Sequence, residues 1–343
     1  MKRHHNTLYV TTQGAYLAAE GETVLVRVGQ ETRLQVPLHM LEGIVCFGRV
    51  SCSPPLMGLC ADRGVGISFL SEHGKFLARV QGPVSGNVLL RRQQYRTADD
   101  PDASARLAQM FVMAKVANSR SVLMRSLRDH PDASGGKEVR KAAGLLARSL
   151  VEVQKELKLD RVRGVEGDAA RTYFEVFDHL IVVQKEDFRF RERSRRPPMD
   201  KVNALLSFVY VLLTHDAVSA LEAVGLDPQV GFLHRDRPGR PGLALDLVEE
   251  FRPFLADRLV LSLINRKQVH GKGFVERETG GVVMNDETRK TVLVAYQERK
   301  KEEITHPFLE EKSTVGMLVH LQALLLARHL RGDLDGYPPF LWK

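Results

Sequence analysis

The spacing of apolar residues changes near Gly82 and Pro83, and that change divides the chain into two kinds of fold. Upstream, TLYVTT, AYLAAE, TVLVRV and TRLQVPL are short, partly alternating runs broken by Gly14, Gly21 and Gly29, as half-buried strands joined by tight turns are. PPLMGLCADRG opens on prolines and ends at Gly64, which predicts one short helix among them. Downstream the period is helical over 88–95, 103–128 and 137–159, with DHPDASGG as the loop at 129–136. The apolar stretch 200–224 reads as a buried central helix followed by a second, ended by Gly225. A hairpin-like region at 272–284 and helices at 286–303 and 313–330 follow. YPPFLWK forms no regular element and either docks on a partner or folds back on its own core. The expected class is α+β, with a small β-sheet domain for architecture or dimerisation at 1–83 and a larger all-α domain at 84–343.

A chain of 343 residues exceeds what one hydrophobic core usually serves, in keeping with two domains. The formal charge of +8 calls for a polyanionic partner, either nucleic acid or an anionic membrane. No run of about 18 apolar residues occurs, and no hydrophobic signal core follows MKRHHNTLYV, so a membrane is the weaker candidate and the cytoplasm the expected location. Cys46, Cys52 and Cys60 are odd in number and lack CxxC spacing, which predicts reduced structural thiols.

Metal-ligand side chains and arginines come together in GFLHRDRPGRPGLALDLVEEFRP, residues 231–253. His234 lies in a loop stiffened by Pro238 and Pro241 and carrying Arg235, Arg237 and Arg240. From Leu243 the pattern is helical, with Leu243, Leu247 and Phe251 on one stripe and Asp246, Glu249 and Glu250 on a neighbouring face. Histidine nitrogen and carboxylate oxygen suit Mg²⁺ or Mn²⁺, and nearby arginines suit a phosphate. Taken singly, acids at this spacing are most often a solvated face and a loop histidine polar surface. In RGVEGDAARTYFEVFDHL, Glu166 lies between Gly164 and Gly167, at an expected tight turn or helix start. It could project inward there, or serve only as an N-terminal acid on the helix dipole. FRFRERSRRPPMDK carries Arg189, Arg191, Arg193, Arg195 and Arg196 with phenylalanines interleaved, a composition for phosphate backbone or splayed bases, or for a solvated loop. Arg91, Arg92 and Arg96 form another basic face, either a phosphate contact or plain surface.

GVEGDAARTYF, RSRRPPMDKVNALLSFVY, GFLHRDRPGRPGLALDLVEEFRP, GISFLSEHGKFLARVQGP and GNVLLRRQQY together resemble the CRISPR-associated protein one family. This is the integrase and endonuclease subunit that inserts spacers into a CRISPR array, and the resemblance covers nearly the whole chain. It implies a β-sandwich-like N-terminal domain joined to a helical catalytic domain. Its metal site, carried over, implies Glu166, His234 and an acid of the DxxE stretch: Glu249 as direct ligand, Asp246 as second ligand or outer-shell group, and Glu250 as the weaker choice. The implied chemistry is a Mg²⁺- or Mn²⁺-dependent transesterification, in which the 3′-hydroxyl of a captured DNA fragment attacks the repeat boundary. Arg91, Arg92, Arg189, Arg195, Arg196, Arg237 and Arg240 are the expected DNA contacts. The implied partners are double-stranded DNA fragments, repeat DNA, a second copy of the chain and the small CRISPR-associated protein two subunit. A nuclease for branched DNA and a non-catalytic DNA-binding scaffold stay open as other readings.

Overall fold

A computed structural model describes residues 6–72, 74, 76–80, 82, 88–155, 158–278 and 280–342. The boundary expected at Pro83 lies outside these described residues. The chain forms two compact units, one of residues 1–85 with 285–301 and one of 86–284 with 302–343.

The first unit holds two four-stranded sheets. In one, β1 (Asn6–Val10), β5 (Leu41–Phe47) and β7 (Gly66–Leu70) run parallel, and β8 (Phe76–Val80) is antiparallel at the edge. In the other, β2 (Ala15–Glu20), β3 (Thr23–Val28) and β4 (Glu31–Pro37) form a meander, with β6 (Ser51–Cys52) beside β2. The meander turns at Gly21 and Gly29, whose φ angles of 56° and 60° favour glycine. Helix α1 (Pro54–Asp62) carries the crossover between β5 and β7; Ser53 caps it by accepting from Leu56 N at 3.3 Å. Val10, Ile44 and Ile67 of one sheet share a core with Leu17, Val24 and Val26 of the other and with Leu56 and Cys60 of α1, the sandwich-like arrangement expected. The cysteines are free, and burial pushes the Cys46 and Cys60 thiols up to about 12 and Cys52 to about 11. The helix Asp286–Lys301 also belongs to this unit, where Gln297 Nε2 donates to Thr7 O at 3.1 Å. Its amphipathic period did not reveal which unit it would join.

In the second unit α2 (Val88–Asp99) leads into α3 (Pro101–Asp129), a helix roughly 44 Å long at 1.5 Å per residue. Asp100 caps α3 by accepting from Asp102 N and Ala103 N at 2.9 and 3.1 Å, and Pro101 fills its first position. Against α3 pack α4 (Gly136–Val153) and α5 (Leu159–Glu175). The segment 200–224 forms a single helix, α6 (Lys201–Ala223), not two, because nothing between its Asp200 cap and Gly225 interrupts the main-chain bonding. It is long and apolar enough to cross a membrane, yet Val202, Leu205, Leu206, Val209, Leu212 and Leu213 are buried in the unit's core. Helix α7 (Gly242–Glu249) is followed by one π-helical turn, Arg252–Asp257, and by α8 (Arg258–Asn265). The unit is not wholly helical: β9 (Phe274–Glu276) with β10 (Val282–Met284), and, after the Asp286–Lys301 helix (α9), β11 (Glu303–Thr305) with β12 (Lys312–Thr314), form two small hairpins. Helix α10 (Val315–Arg331) ends at Gly332, φ 85°.

Candidate active site

The loop between α6 and α7 is held at both ends. Gln94 of α2 donates to Asp227 O and Val230 O, each at 2.8 Å, and accepts from Asp227 N at 2.9 Å. Gly231 and Gly242 meet so closely that a Cβ on Gly231 would lie 2.7 Å from Asp246 Oδ2, and one on Gly242 2.6 Å from Gln229 O. Side chains at either position would push the loop off α7.

That approach delivers three backbone N–H groups to one carboxylate. Asp246 Oδ2 accepts from Phe232 N and Leu233 N at 2.6 and 2.9 Å, and Oδ1 from His234 N at 3.0 Å. Oδ1 also lies 2.6 Å from His234 Nδ1, and since a carboxylate only accepts, the ring proton sits on Nδ1. Nε2 is then turned toward Glu249, whose Oε1 is 3.9 Å away. A carboxylate behind a histidine is the usual orienting group of a metal-ligating imidazole. Asp246 is fully buried and already accepts from four donors, which leaves it behind the imidazole and away from the space that His234 Nε2 and Glu249 share.

Glu249 projects into the site from the end of α7 and is 2% exposed in its side chain. Arg252 pairs with its Oε1, and Lys115 Nζ lies 2.8 Å from Oε2. The same ammonium pairs with Glu166. Burial works against a charged Glu249, but Arg252, Lys115 and His234 together hold its carboxyl well below the usual range. Burial likewise disfavours the Lys115 ammonium, yet Glu249 and Glu166 raise its pKa. Glu166 lies inside α5, not at a turn or helix start, so the helix-dipole role falls away. Gly164 and Gly167 sit in the helix with open space where a Cβ would go, and the helix begins earlier, after Lys158.

Glu250, one residue on, points elsewhere. It is fully buried, accepts from Tyr337 Oη at 2.5 Å and Phe340 N at 2.7 Å, and burial pushes its carboxyl up to about 8. Such a group is no partner for a cation beside Glu249.

A cavity of about 250 Å³ opens beside Lys115 and Arg252, lined further by Arg191, Arg193, Arg195 and Tyr210. Arg252 and Arg193 lie over the Tyr210 ring at 5.0 and 5.3 Å, and Tyr210 Oη donates to Asp257 Oδ1 at 2.6 Å. Burial and then Arg237 lower the Arg240 pKa, with Arg252 and Arg195 adding to it, so these cations share one field. Of the expected DNA contacts, Arg195, Arg237 and Arg240 therefore gather near the site. Arg92, Arg189 and Arg196 are exposed, and neither they nor Arg91 line the cavity. The phenylalanines among the arginines do not await bases. Phe190 packs on Phe174 and Phe177, and Phe188 on Phe274, because both are core anchors of an irregular segment. Lys115 and Arg252 escaped the sequence reading, and Arg193, named there in the basic run, was not singled out as a DNA contact. The signal for Lys115 was a lysine on a buried helical stripe with Phe111, Asn118 and Ser119.

Among the described residues no group of three His, Cys, Asp or Glu side chains stands ready to enclose a metal. The donor chemistry nonetheless fits one. Lys115 supplies the positive charge between Glu166 and Glu249, and Glu249 Oε2 is a buried acceptor without a hydrogen bond of good geometry. The 3.9 Å from His234 Nε2 to Glu249 Oε1 is within the roughly 4.2 Å that two donors on one Mg²⁺ can span at about 2.1 Å each.

Residues 8–298 match the family model described as CRISPR associated protein Cas1. The chain is 58% identical over 343 residues, all of both chains, to a protein of Chlorobaculum tepidum named CRISPR-associated endonuclease Cas1 1. Its fold is similar to that of a casposase bound to integration product, with TM-score 0.84, 23% identity and coverage of 98% of this chain and 94% of the other. It is also similar to a chain of a Cas6-RT-Cas1–Cas2 complex, with TM-score 0.83, 20% identity and coverage of 99% and 36%. With the family model matched over most of its length and an endonuclease-named relative matched end to end, the chain belongs to the Cas1 family of CRISPR-associated proteins.

Proposed function

We propose that this chain joins the 3′-hydroxyl ends of captured DNA fragments to the repeat boundary of a CRISPR array by transesterification, using Mg²⁺ or Mn²⁺ held by Glu166, His234 and Glu249. The observation that carries this reading is the Lys115 ammonium shared by Glu166 and Glu249, with His234 Nε2 turned toward the same place by Asp246. A divalent ion bound there would neutralise charge building on the phosphodiester and help align the attacking and leaving oxygens.

The chain's own groups do the rest. Asp246 keeps the imidazole in one tautomer, so that its lone pair is always presented. Once Glu166 and Glu249 bind another cation, Lys115 and Arg252 are freed to meet phosphate oxygens. Arg193 and Arg195 line the adjoining cavity and give a strand's phosphates an anion-binding wall, fixed before substrate arrives. With water in place of the 3′-hydroxyl, the same groups would cut DNA, a second reading favoured by the name endonuclease on the relative.

One similar structure is bound to an integration product and another is an assembly with Cas2, which supports DNA and the small CRISPR-associated protein two subunit as partners. A homodimer built through the β-sheet unit and action in the cytoplasm belong to the same proposal. The test is insertion of a labelled 3′-hydroxyl fragment into a plasmid-borne array, with and without the small subunit and with chelator. Joining that needs divalent ion and exceeds hydrolysis supports the integrase; hydrolysis alone leaves a nuclease, and indifference to chelator removes the metal.

A further inference from the structure

Glu249 and Glu250 are neighbours on a helix, so their side chains leave about 100° apart. One enters the site and the other enters a buried polar knot that the chemistry above does not use. The Glu250 carbonyl, one of those left open where α7 ends, accepts from Asn118 Nδ2 at 2.7 Å. Asn118 lies on α3, three residues and nearly one turn beyond Lys115. Its Nδ2 also donates to Phe340 O at 2.9 Å, and its Oδ1 accepts from Trp342 N at 2.8 Å. One amide of α3 thus holds both the end of α7 and the segment 337–342.

The Glu250 carboxyl makes the second tie. Oε1 faces Tyr337 Oη, and Oε2 accepts from Phe340 N at 2.7 Å and Gln322 Nε2 at 3.0 Å. His306 dictates which way Gln322 faces. Its Nδ1 accepts from Phe308 N and Leu309 N at 3.3 and 3.2 Å, so its proton is on Nε2 and is donated to Gln322 Oε1 at 3.0 Å. That leaves the Gln322 amide nitrogen for Glu250, for Tyr337 Oη at 2.8 Å and for Pro338 O at 3.0 Å. Phe340, fully buried, also stacks on Phe251 at 5.2 Å. An apolar plug of similar volume would fill this space at less cost in desolvation, whereas directed bonds fix one geometry.

We propose that Asn118 and Glu250, tied through the segment 337–342, are positioning residues for Glu249. They set the separation of α3 from the end of α7, and hence the separation of Lys115 from Glu249 and the geometry in which Glu249 receives a cation. The proposal rests on the metal reading above. Its test is the affinity of the full chain for Mn²⁺, read from the electron paramagnetic resonance of the free ion and needing no turnover. Glu250→Ala and Asn118→Ala should weaken Mn²⁺ binding about 10-fold or more, the scale of orienting groups around metal ligands. Glu250→Gln, which keeps an acceptor for Tyr337, should recover most of it. Tyr337→Phe, a milder change that keeps the ring, should cost several-fold. Leu146→Ala in α4, a cavity outside the knot, should lower the melting temperature and leave Mn²⁺ affinity unchanged. Wild-type affinity in both Asn118→Ala and Tyr337→Phe, or an equal loss in Leu146→Ala, would overturn the positioning role while the metal site stands. Wild-type affinity in Glu249→Gln would overturn the metal reading and this proposal with it.

Discussion

Replacing Lys115 by Met separates two roles that the proposed metal site gives its ammonium: stabilising the metal-free fold and competing with the incoming cation. The side chain is 11% exposed, and Glu249 beside it is 2% exposed. Removing one partner of a buried ion pair typically costs about 3–5 kcal/mol. Here Arg252 remains on Glu249 and Glu166 is 27% exposed, so about 2 kcal/mol is the expected loss. For a unit of this size that lowers the melting temperature by roughly 4–8 °C. Met keeps most of the stem, so little of the loss is cavity. In the wild type an incoming Mn²⁺ must displace the ammonium; in Lys115→Met it meets two carboxylates with less opposing charge. The variant should therefore bind Mn²⁺ at least about 10-fold more tightly, and saturating Mn²⁺ should raise its melting temperature more than the wild type's. Differential scanning fluorimetry over a MnCl₂ series reads both quantities. Equal Mn²⁺-induced shifts in the two proteins would show that Lys115 does not stand where the metal goes.

Glu166→Ala, His234→Ala and Glu249→Ala should each abolish strand joining while circular dichroism shows the fold retained; full activity in any of them removes that residue from the site. Asp246→Asn should lower Mn²⁺ affinity about 10–100-fold, because an amide in its place no longer fixes the His234 tautomer; titration of metal into the variant checks this. Arg195→Ala should weaken DNA binding and reduce the slope of log affinity against log salt by about 1, whereas Arg196→Ala, away from the cavity wall, should change it less; filter binding over a salt series distinguishes them. Burial raises the Asp257 carboxyl to about 6 from 3.8, against the hydrogen bond from Tyr210. A carboxyl raised by folding binds its proton more tightly in the folded state, so its contribution is full below about pH 4 and lost as pH rises through about 6. Asp257→Asn has no such proton, and its stability relative to wild type should rise with pH across that window in urea titrations.

Local signals led far into the site. His234 and Glu249 share one stretch of chain, and the loop-to-helix change between them was visible in its prolines and in the stripe of Leu243, Leu247 and Phe251. The sandwich was legible because strand alternation and Gly21 and Gly29 are properties of neighbouring residues. Two errors have a common cause. Gly164 and Gly167 read as a tight turn or helix start because isolated helix formation disfavours glycine, but α5 packs on α3 and α4, and that packing outweighs about 1 kcal/mol per glycine. The phenylalanines at 188 and 190 read as stacking platforms because composition does not tell which side of an irregular segment faces the core.

Pairings between distant segments were the part hidden from the sequence. Lys115 lies 51 residues from Glu166, and its role exists only because α3 and α5 pack with those side chains toward each other. Glu249 and Glu250 show the limit most sharply, since both fit an acidic motif and nothing local ranks them. What separates them is the partner each meets: a lysine, an arginine and an imidazole around one, a tyrosine, a glutamine and a backbone N–H around the other. Cations hold the Glu249 carboxyl well below its usual range, whereas burial raises the Glu250 carboxyl to about 8 although its three hydrogen bonds pull the other way. Two like residues, about 100° apart on one helix, thus meet opposite surroundings, which supports the proposed cation binding at Glu249 and anchoring at Glu250.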